Sequence, residues 1–489
     1  MNISKMLGIA LVVCLALPGI AGAQKWQSLK HPPTFFTDTA LLLTDGTVIV
    51  HEVCSPNWHR LTPDQTGSYV NGTWSKIGSM PSDYAPLYFA SQVLPDGRVL
   101  VEGGEYNGAG CPGPLEVSLG AIYDPLANKW TKVNPPDGWD EIGDSPSIVL
   151  PNGIFMLGQN ESTASAFFNP KTLGWTLKGS GKADTYAEEG MELLPDGKVL
   201  LADTQDTPNT EIFNPKTFAW TSAGSAMVNL SENAGEETGP ALLRPDGTVF
   251  AMGANGNMGE AGHTAIFDTK TGEWAAGPDF PNNDDMADAP AAVLPDGNIL
   301  CETSPLVFKT PVSFYEFDGT KFNSVPNPKY TGNKKQKSNT SYVGRLLVLP
   351  TGQIFYTLAD GFTKDAEIYT AKGTHKSSWA PAITTAPSDV TRGDTYKISG
   401  TQFNGLTHGA AYGDDAQMNS SYPLVRITNK ASGHVFYART HDHSTMGVAT
   451  GKKIVSTNFD APSDMETGAS SLVVVANGIP SASVDVTVQ

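Results

Sequence analysis

The sequence predicts an all-β protein, a seven-bladed β-propeller followed by a β-sandwich, and three observations predict it. A phrase of an apolar run, a tight turn with glycine and a second apolar run occurs seven times before residue 360. A second phrase, an aromatic residue and a turn followed by another aromatic residue, comes after each copy. The repeat stops near Trp379, and from Val390 short strands with turns continue to the C-terminus.

The first phrase has the pattern of a β-hairpin. It reads SQVLPDGRVLV at 91–101 and MELLPDGKVLL at 191–201. Most copies carry Asp-Gly or Asn-Gly at the turn, and both residue types accept the positive φ that tight hairpins require. The copies are spaced by 44 to 56 residues, which is the period of kelch repeats. The seven turn glycines are Gly46, Gly97, Gly153, Gly197, Gly247, Gly297 and Gly352.

The second phrase completes a four-stranded unit. Tyr123 precedes Trp130 across one such turn, and Phe213 precedes Trp220 across another. Two hairpins make one propeller blade, and a closed ring of blades buries both faces of every sheet. We therefore expect each tryptophan to pack between blades. The segment around Trp26 is expected to add a closing strand to the last blade.

The N-terminus has the pattern of a secretory signal peptide. Lys5 precedes an apolar run at 6–20, and Ala21-Gly22-Ala23 resembles a cleavage site. We assign residues 1–23 to the signal, 24–383 to the propeller and 386–489 to the C-terminal domain. The protein is expected to be secreted or periplasmic. No run is long and apolar enough to predict a membrane span.

The charge excludes one class of partner. The chain has 32 basic and 50 acidic residues, a net charge of −18, and loss of Lys5 with the signal gives −19. A surface of this sign repels nucleic acid but tolerates cations and neutral sugars. The same charge also keeps a protein soluble, and we expect a monomer.

The cysteines allow one disulfide. Cys14 leaves with the signal, and Cys54, Cys111 and Cys301 remain. Cys54 and Cys111 each follow the second strand of consecutive blades, so a disulfide between them would join two rim loops. An exported protein can keep such a bond, and Cys301 would then be a free thiol.

The C-terminal strands complete a family resemblance. The segments TYKISGTQFNG at 395–405 and SSLVVVANGIPSASVDVTV at 470–488 predict an immunoglobulin-like sandwich. A signal, seven kelch blades and this domain together resemble the galactose oxidase and glyoxal oxidase superfamily. The phrases YAPLYFASQVLPDGRV and ARTHDHSTM also resemble a group of bacterial exported kelch proteins of unassigned activity.

The resemblance implies a copper site on the propeller axis. Its ligands would be a tyrosine cross-linked to cysteine, a tyrosine followed by histidine, and a histidine from the C-terminal domain. Tyr342 matches the second tyrosine, but Val343 stands in the histidine place and Ala90 in the cysteine place. Candidates for the remaining ligands are Tyr88, Tyr186, His441 and His443. The resemblance therefore implies a copper-radical site that has lost two or three of its parts.

Acids and tyrosines occupy the predicted axial rim, where inner strands begin and second strands end. The candidate ligand-binding residues are Asp38, Tyr88, Glu105, Asp144, Glu188, Glu236, Asp288 and Tyr342. They are either a solvated polar rim or a site for a cation or a sugar. His441 and His443 are candidate metal ligands, because the segment 439–446 is expected to reach into or against the central channel. Carboxylates with imidazoles suit calcium, manganese or zinc.

Three functions follow as hypotheses. The first is binding of a glycan, cell-surface or protein ligand on the acidic axial face, without copper-radical chemistry. The second is a divergent galactose oxidase-like copper oxidoreductase. The third is a metal-assisted hydrolase or lyase that uses the ring carboxylates. The cofactor stays open: a divalent metal ion is possible, and copper belongs only to the second hypothesis.

Overall fold

A computed structural model describes residues 24–112, 116–231, 237–254, 257–329 and 339–489, so the expected signal peptide lies outside the described residues. Seven sheets of four or five strands form the propeller, and a further sheet of nine strands forms the C-terminal domain. The predicted fold class, an all-β seven-bladed propeller followed by a β-sandwich, is confirmed.

The first four blades follow the repeat from the innermost strand outward. The strands of blade 1 are Thr37–Leu42, Val48–Glu52, Trp58–Thr62 and Thr73–Lys76. Those of blade 2 are Ala90–Val93, Val99–Glu102, Gly120–Asp124 and Lys129–Val133. Those of blade 3 are Ser147–Val149, Phe155–Gly158, Ser165–Asn169 and Gly174–Leu177. Those of blade 4 are Glu192–Leu193, Val199–Ala202, Asn209–Asn214 and Ala219–Ser225.

The last three blades complete the ring. The strands of blade 5 are Thr238–Leu243, Thr248–Gly253, Thr264–Asp268 and Glu273–Ala276. Those of blade 6 are Pro290–Val293, Ile299–Thr303, Ser313–Phe317 and Phe322–Val325. Those of blade 7 are Gly344–Val348, Ile354–Leu358 and Glu367–Thr370, with Lys25–Ser28 as the outer strand. A short ribbon on the rim pairs Pro86–Leu87 with Tyr106–Asn107.

The ring is closed by the N-terminal strand. Trp26 pairs with Tyr369 in antiparallel register, so the last blade takes its outer strand from the start of the described chain. The expected closing strand is confirmed. Closure of this kind joins the two ends of the propeller and leaves no open seam between its first and last blades.

The recurring tryptophans pack at blade boundaries, as expected. Trp175 of blade 3 donates its indole N–H to the carbonyl of Asn134, which follows blade 2. Trp274 of blade 5 donates to Ala223 in the outer strand of blade 4. Both of these indoles are partly buried, and the chain of the preceding blade accepts the hydrogen bond from each indole N–H.

The C-terminal domain has its own apolar core, which includes Ile398, Phe459 and Val474. Its strands are Ala382–Thr385, Asp389–Val390, Thr395–Thr401, Leu424–Asn429, Val435–His441, Val455–Asp460, Gly468–Ala476, Ile479–Pro480 and Val484–Val488. The helical elements of the described residues are the single 3-10 turns Pro281–Asn283, Ser341–Val343 and Ser377–Trp379. Within the described ranges, no helix has the length and apolar character needed to cross a membrane.

A hairpin of the C-terminal domain passes through the propeller channel. The strand Ala410–Tyr412 pairs antiparallel with the inner strand of blade 6, which makes that blade five-stranded. The chain then turns at Gly413 and returns, and all residues from 407 to 425 are buried. On the way back, Asn419 donates to the side chain of Gln92 in blade 2 at 2.7 Å. The hairpin, which we call the channel hairpin (residues 406–422), thus contacts opposite sides of the ring.

Candidate functional site

A cavity of about 340 Å³ lies where the inner strands begin, above the tip of the channel hairpin. Its acidic residues are Glu105, Asp144, Glu188, Glu237, Asp288, Asp414 and Asp415. Its aromatic residues are Tyr88, Tyr106, Phe308, Tyr342 and Tyr412. We call this cavity the axial pocket. Carboxylates and aromatic rings therefore share one concave surface built by both domains.

Three residues of the axial pocket have left-handed backbone at equivalent places in alternate blades. Tyr88, Glu188 and Asp288 have φ values of +53°, +59° and +45°, and each lies just before the inner strand of its blade. For residues with a Cβ atom this conformation is costly, and it persists only where the surroundings impose it. Such strain is concentrated at functional sites. Here it directs three side chains into the same cavity.

The channel hairpin supplies the floor of the axial pocket. Tyr412 donates its hydroxyl to the carbonyl of Tyr342 at 2.9 Å, which fixes the hairpin beside blade 7. Gly413 lies so close to blade 6 that a Cβ atom there would stand 2.6 Å from Oδ1 of Asp288. Asp414 and Asp415 follow at the tip and are 2% and 1% exposed. A larger residue at position 413 would push the hairpin tip away from blade 6. Glycine is therefore needed to bring the next two residues close to the carboxylates of the blades.

Two groups of carboxylates meet within the axial pocket and share Glu188. One oxygen each from Asp144, Glu188 and Asp414 lie within 4.8 Å of one another. The same holds for Glu188, Glu237 and Asp288. These residues come from the loops before blades 3, 4, 5 and 6 and from the C-terminal domain, so only the closed and docked fold assembles them.

One buried cation lies beneath this cluster. Arg345 of blade 7 is 1% exposed, and its guanidinium stands 3.9 Å from the ring centre of Tyr412. It donates to the carbonyl oxygens of Tyr342 and Gly344. Its Nε lies 4.0 Å from Asp38, which is itself bonded to Nδ1 of His51 at 2.8 Å. Arg345 is thus fixed in the wall of the propeller channel. Its positive charge lies between Asp38 and the carboxylates of the axial pocket.

The crowded carboxylates hold protons more tightly than isolated ones do. Burial, followed by the charge of Asp288, raises the pKa of Glu188 to about 8. Burial raises the pKa of Asp415 to about 7, although Arg345 opposes the shift. Burial raises the pKa of Glu105, at the mouth, to about 7. These raised pKa values have two causes: removal from water and neighbouring like charge each disfavour the ionised form of a carboxyl group.

Six of the eight rim residues expected to bind ligand line the axial pocket. They are Tyr88, Glu105, Asp144, Glu188, Asp288 and Tyr342. Asp38 is fully buried beside His51 and does not line it. The His51 bond and charge, with help from Arg345, overcome its burial and hold the pKa of Asp38 below its usual range. Glu236 lies outside the described residues, and its neighbour Glu237 lines the pocket.

The structure does not bring His441 and His443 to these carboxylates. His441 bonds to Asp442 and Asp460 within the C-terminal domain. His443 is buried, bonds to Thr457, and its backbone N–H donates to Pro95 at the turn end of blade 2. Burial lowers the pKa of His443 to about 3, so its imidazole is neutral. The segment 439–446 packs against the turn side of the propeller, and the expectation that its imidazoles face ring acids is wrong.

The channel hairpin was missed by the sequence analysis. Its central segment, GAAYGDDAQMNSS at 409–421, carries no repeat signal, and the one histidine of the hairpin, His408, precedes that segment. The available signal was its composition: small residues next to two adjacent acids, in a domain otherwise made of alternating strands. Small side chains fit a narrow channel, and paired acids are unusual in a fully buried stretch.

The axial pocket does not fit the copper site that the resemblance implies. All nine histidines of the chain fall within the described residues, and none lines the pocket. Cys111 does line it, but its sulfur is bonded to Cys54, with the two Cα atoms 5.2 Å apart. Cys301 is buried in blade 6 beside Met252. Imidazole nitrogens are favoured ligands of copper(II), and the described pocket offers carboxylate and phenol oxygens instead.

The fold is a kelch-type seven-bladed β-propeller followed by a C-terminal β-sandwich, and the axial pocket lies where the two domains meet. A fungal alcohol oxidase of the AA5 family, solved in complex with copper, shares this architecture: the superposition covers 96% of this chain and 100% of that one, at a TM-score of 0.55 and 15% identity. The Kelch-like protein terF of Aspergillus terreus is 28% identical over 131 residues, 23% of this chain. That match spans about a quarter of terF, 26% of its length. No protein-family model matches the chain.

Proposed function

We propose that this protein is an exported carbohydrate-binding propeller and that the axial pocket takes a sugar residue. The observation that carries the proposal is the pairing of an open aromatic wall with a carboxylate floor. Phe308 at the rim is 65% exposed and meets Tyr342 edge-on, with ring centres 5.4 Å apart. A sugar presents C–H groups to an aromatic face and hydroxyl donors to carboxylates, so it is complementary to both surfaces.

The surroundings of the axial pocket favour a chain of sugars over a single one. A second cavity of about 500 Å³ adjoins it and shares Leu87, Tyr88, Phe308 and Tyr342 with it. Phe362, 67% exposed, lines the far side of this second cavity. Two adjoining cavities separated by aromatic rings suit neighbouring units of an oligosaccharide. A cell-surface glycan supplies such a chain to an exported protein.

The test is glycan binding by the chain from residue 24 onward, compared with Phe308→Ala. We expect an oligosaccharide found by array screening to bind roughly threefold to tenfold more weakly to Phe308→Ala, because a stacking aromatic contributes about 0.5–1.5 kcal/mol. Leu126→Ala is the matched control, since Leu126 is 71% exposed on the outer turn of blade 2. No glycan ligand, or equal loss in both variants, would reject the proposal.

A second candidate function is cleavage of the bound sugar chain by acid and base carboxylates. The favouring observation is that burial raises the pKa values of Glu105 and Glu188 to about 7 and 8, and that both share one pocket with Asp288, whose pKa is about 6. Groups that hold a proton near neutral pH are suited to general acid catalysis. Release of new reducing ends from a bound oligosaccharide, abolished in Glu188→Gln, would favour this function over binding alone.

A further inference from the structure

We propose that Asp144, Glu188 and Asp414 form a binding site for a divalent cation, of the oxygen-preferring type represented by calcium. The site goes beyond the proposed sugar binding and stands whether or not a glycan is the ligand. It joins the two domains, because Asp144 and Glu188 come from the propeller and Asp414 from the channel hairpin. Three arguments carry it: spacing, an unsatisfied buried oxygen, and charge balance.

The spacing of the three oxygens matches a calcium shell. They lie within 4.8 Å of one another. Calcium–oxygen distances of about 2.4 Å allow two ligands of one ion to be at most about 4.8 Å apart. The ligand atoms are carboxylate oxygens, which suit calcium and manganese better than zinc or copper.

One oxygen of Asp414 has no partner. The residue is 2% exposed, and while Oδ1 accepts the backbone N–H of Asp415 at 2.8 Å, Oδ2 makes no hydrogen bond. A buried carboxylate oxygen without a donor is costly and is rare in folded proteins. Oδ2 of Asp414 is therefore available to the ion that would satisfy it.

A second acidic cluster in the same molecule is neutralised by a basic side chain of the protein itself. Asp184, Glu189 and Asp203 also bring ligand oxygens within 4.8 Å. The Lys182 ammonium occupies that cluster, 2.9 Å from Glu189 and 2.8 Å from Glu211, and is 1% exposed. The described lining of the axial pocket contains no lysine or arginine, and Arg345 lies behind it. The Lys182 cluster has a cation supplied by the chain itself, whereas a cation for the axial cluster would come from solvent.

The experiment is a terbium titration of the chelator-stripped chain from residue 24 onward, with calcium as competitor. Terbium binds calcium sites, and tyrosines close to it sensitise its emission. Tyr88 and Tyr412 line the same pocket. We expect saturable emission from the wild type that calcium displaces. Asp414→Asn and Asp144→Asn should each bind at least about tenfold more weakly, the usual cost of a lost charged contact.

Thermal unfolding distinguishes cation binding by Asp414 from a purely structural role of that residue. With chelator at pH 8, Asp414→Asn should unfold at or above the wild-type temperature, because the substitution removes one of three acids that oppose one another in a buried place. Calcium should then raise the unfolding temperature of the wild type but not of this variant. Asp464→Asn, an exposed site in the C-terminal domain, is the charge-matched control and should behave as wild type.

Two results would overturn the proposal. One is the absence of saturable terbium emission in the wild type. The other is binding that persists unchanged in both Asp144→Asn and Asp414→Asn. Because no sugar is present, neither result bears on glycan binding, and failure to find a glycan leaves the titration unaffected.

Discussion

Asp414 and Glu188 belong to different domains, yet their carboxylate oxygens lie within 4.8 Å of each other and of one from Asp144. Such an approach of like charges opposes docking of the channel hairpin unless protons or a cation reside between them. The axial pocket therefore couples the occupancy of its carboxylates to the association of the two domains.

The stability of the cation-free protein should fall as pH rises from about 4 to about 8. Burial raises the pKa of Glu188 to about 8 and that of Asp288 to about 6, whereas unfolded carboxyl groups titrate near 4. The folded state then holds protons that the unfolded state has released, so their stabilisation is present at low pH and is lost with rising pH. For each proton that the folded state holds and the unfolded state has released, the free energy of unfolding falls by about 1.4 kcal/mol per pH unit.

Thermal unfolding in chelator across pH 5 to 8 measures this effect. Asp64 affects the stability in the acidic range instead. Its hydrogen bonds to Thr66 and Asn71 outweigh burial and lower its pKa to about 2, so the stabilisation that its carboxylate provides is lost only in acid. Saturating calcium should flatten the decline between pH 5 and 8. An unfolding temperature that rises steadily over this range in chelator would contradict the account.

Lys182→Met should destabilise the protein by roughly 3–5 kcal/mol, the usual cost of leaving buried charges without their partner. The ammonium contacts Asp184, Glu189 and Glu211 and is almost fully buried. Lys198→Met is the matched control, because that lysine is 39% exposed and pairs with Asp196 on the surface. It should cost no more than about 1 kcal/mol. Chemical denaturation measures both, and equal effects would show that the buried cluster is not held by its lysine.

Replacing Cys54 and Cys111 together by serine should cost roughly 2–5 kcal/mol of folding stability, because their bond closes a loop of 57 residues. Cys111 also lines the axial pocket, so the loop that carries it should become less ordered. Addition of a reductant to the wild type should reproduce the loss. If the reduced protein unfolds at the oxidised temperature, the disulfide contributes no stability.

Gly413→Ala should destabilise the protein by roughly 1–3 kcal/mol through overpacking. A Cβ atom there would lie 2.6 Å from Oδ1 of Asp288 and 3.4 Å from the carbonyl of Thr238, so the channel hairpin would have to withdraw. Gly174→Ala, whose Cβ atom would meet only Thr172 at 3.6 Å, is the control and should have little effect. A neutral Gly413→Ala would show that the hairpin tip is loosely held.

The sequence predicted the propeller because its signals are local. Turn glycines such as Gly46 and Gly97 identify hairpins within single blades. The channel hairpin could not be predicted in this way, since it pairs with blade 6 over more than a hundred residues of separation. Long-range pairing leaves no periodicity in the inserted segment.

The candidate site was predictable in part for the same reason. Asp144, Glu188 and Asp288 precede inner strands, so the repeat places them on one rim. His441 and His443 drew attention because imidazoles bind metals, but their neighbours Asp460 and Thr457 lie in the same domain. Residue type alone gave no information on which loop of the C-terminal domain enters the channel.

The most direct measurement of the central claim, that the axial carboxylates are a binding site, is anomalous diffraction from crystals grown with manganese. Manganese accepts carboxylate ligands and scatters anomalously. The account predicts one strong peak in the axial pocket, within bonding distance of Asp144, Glu188 and Asp414. A fully resolved pocket with no peak, or a peak only at surface acids, would contradict it.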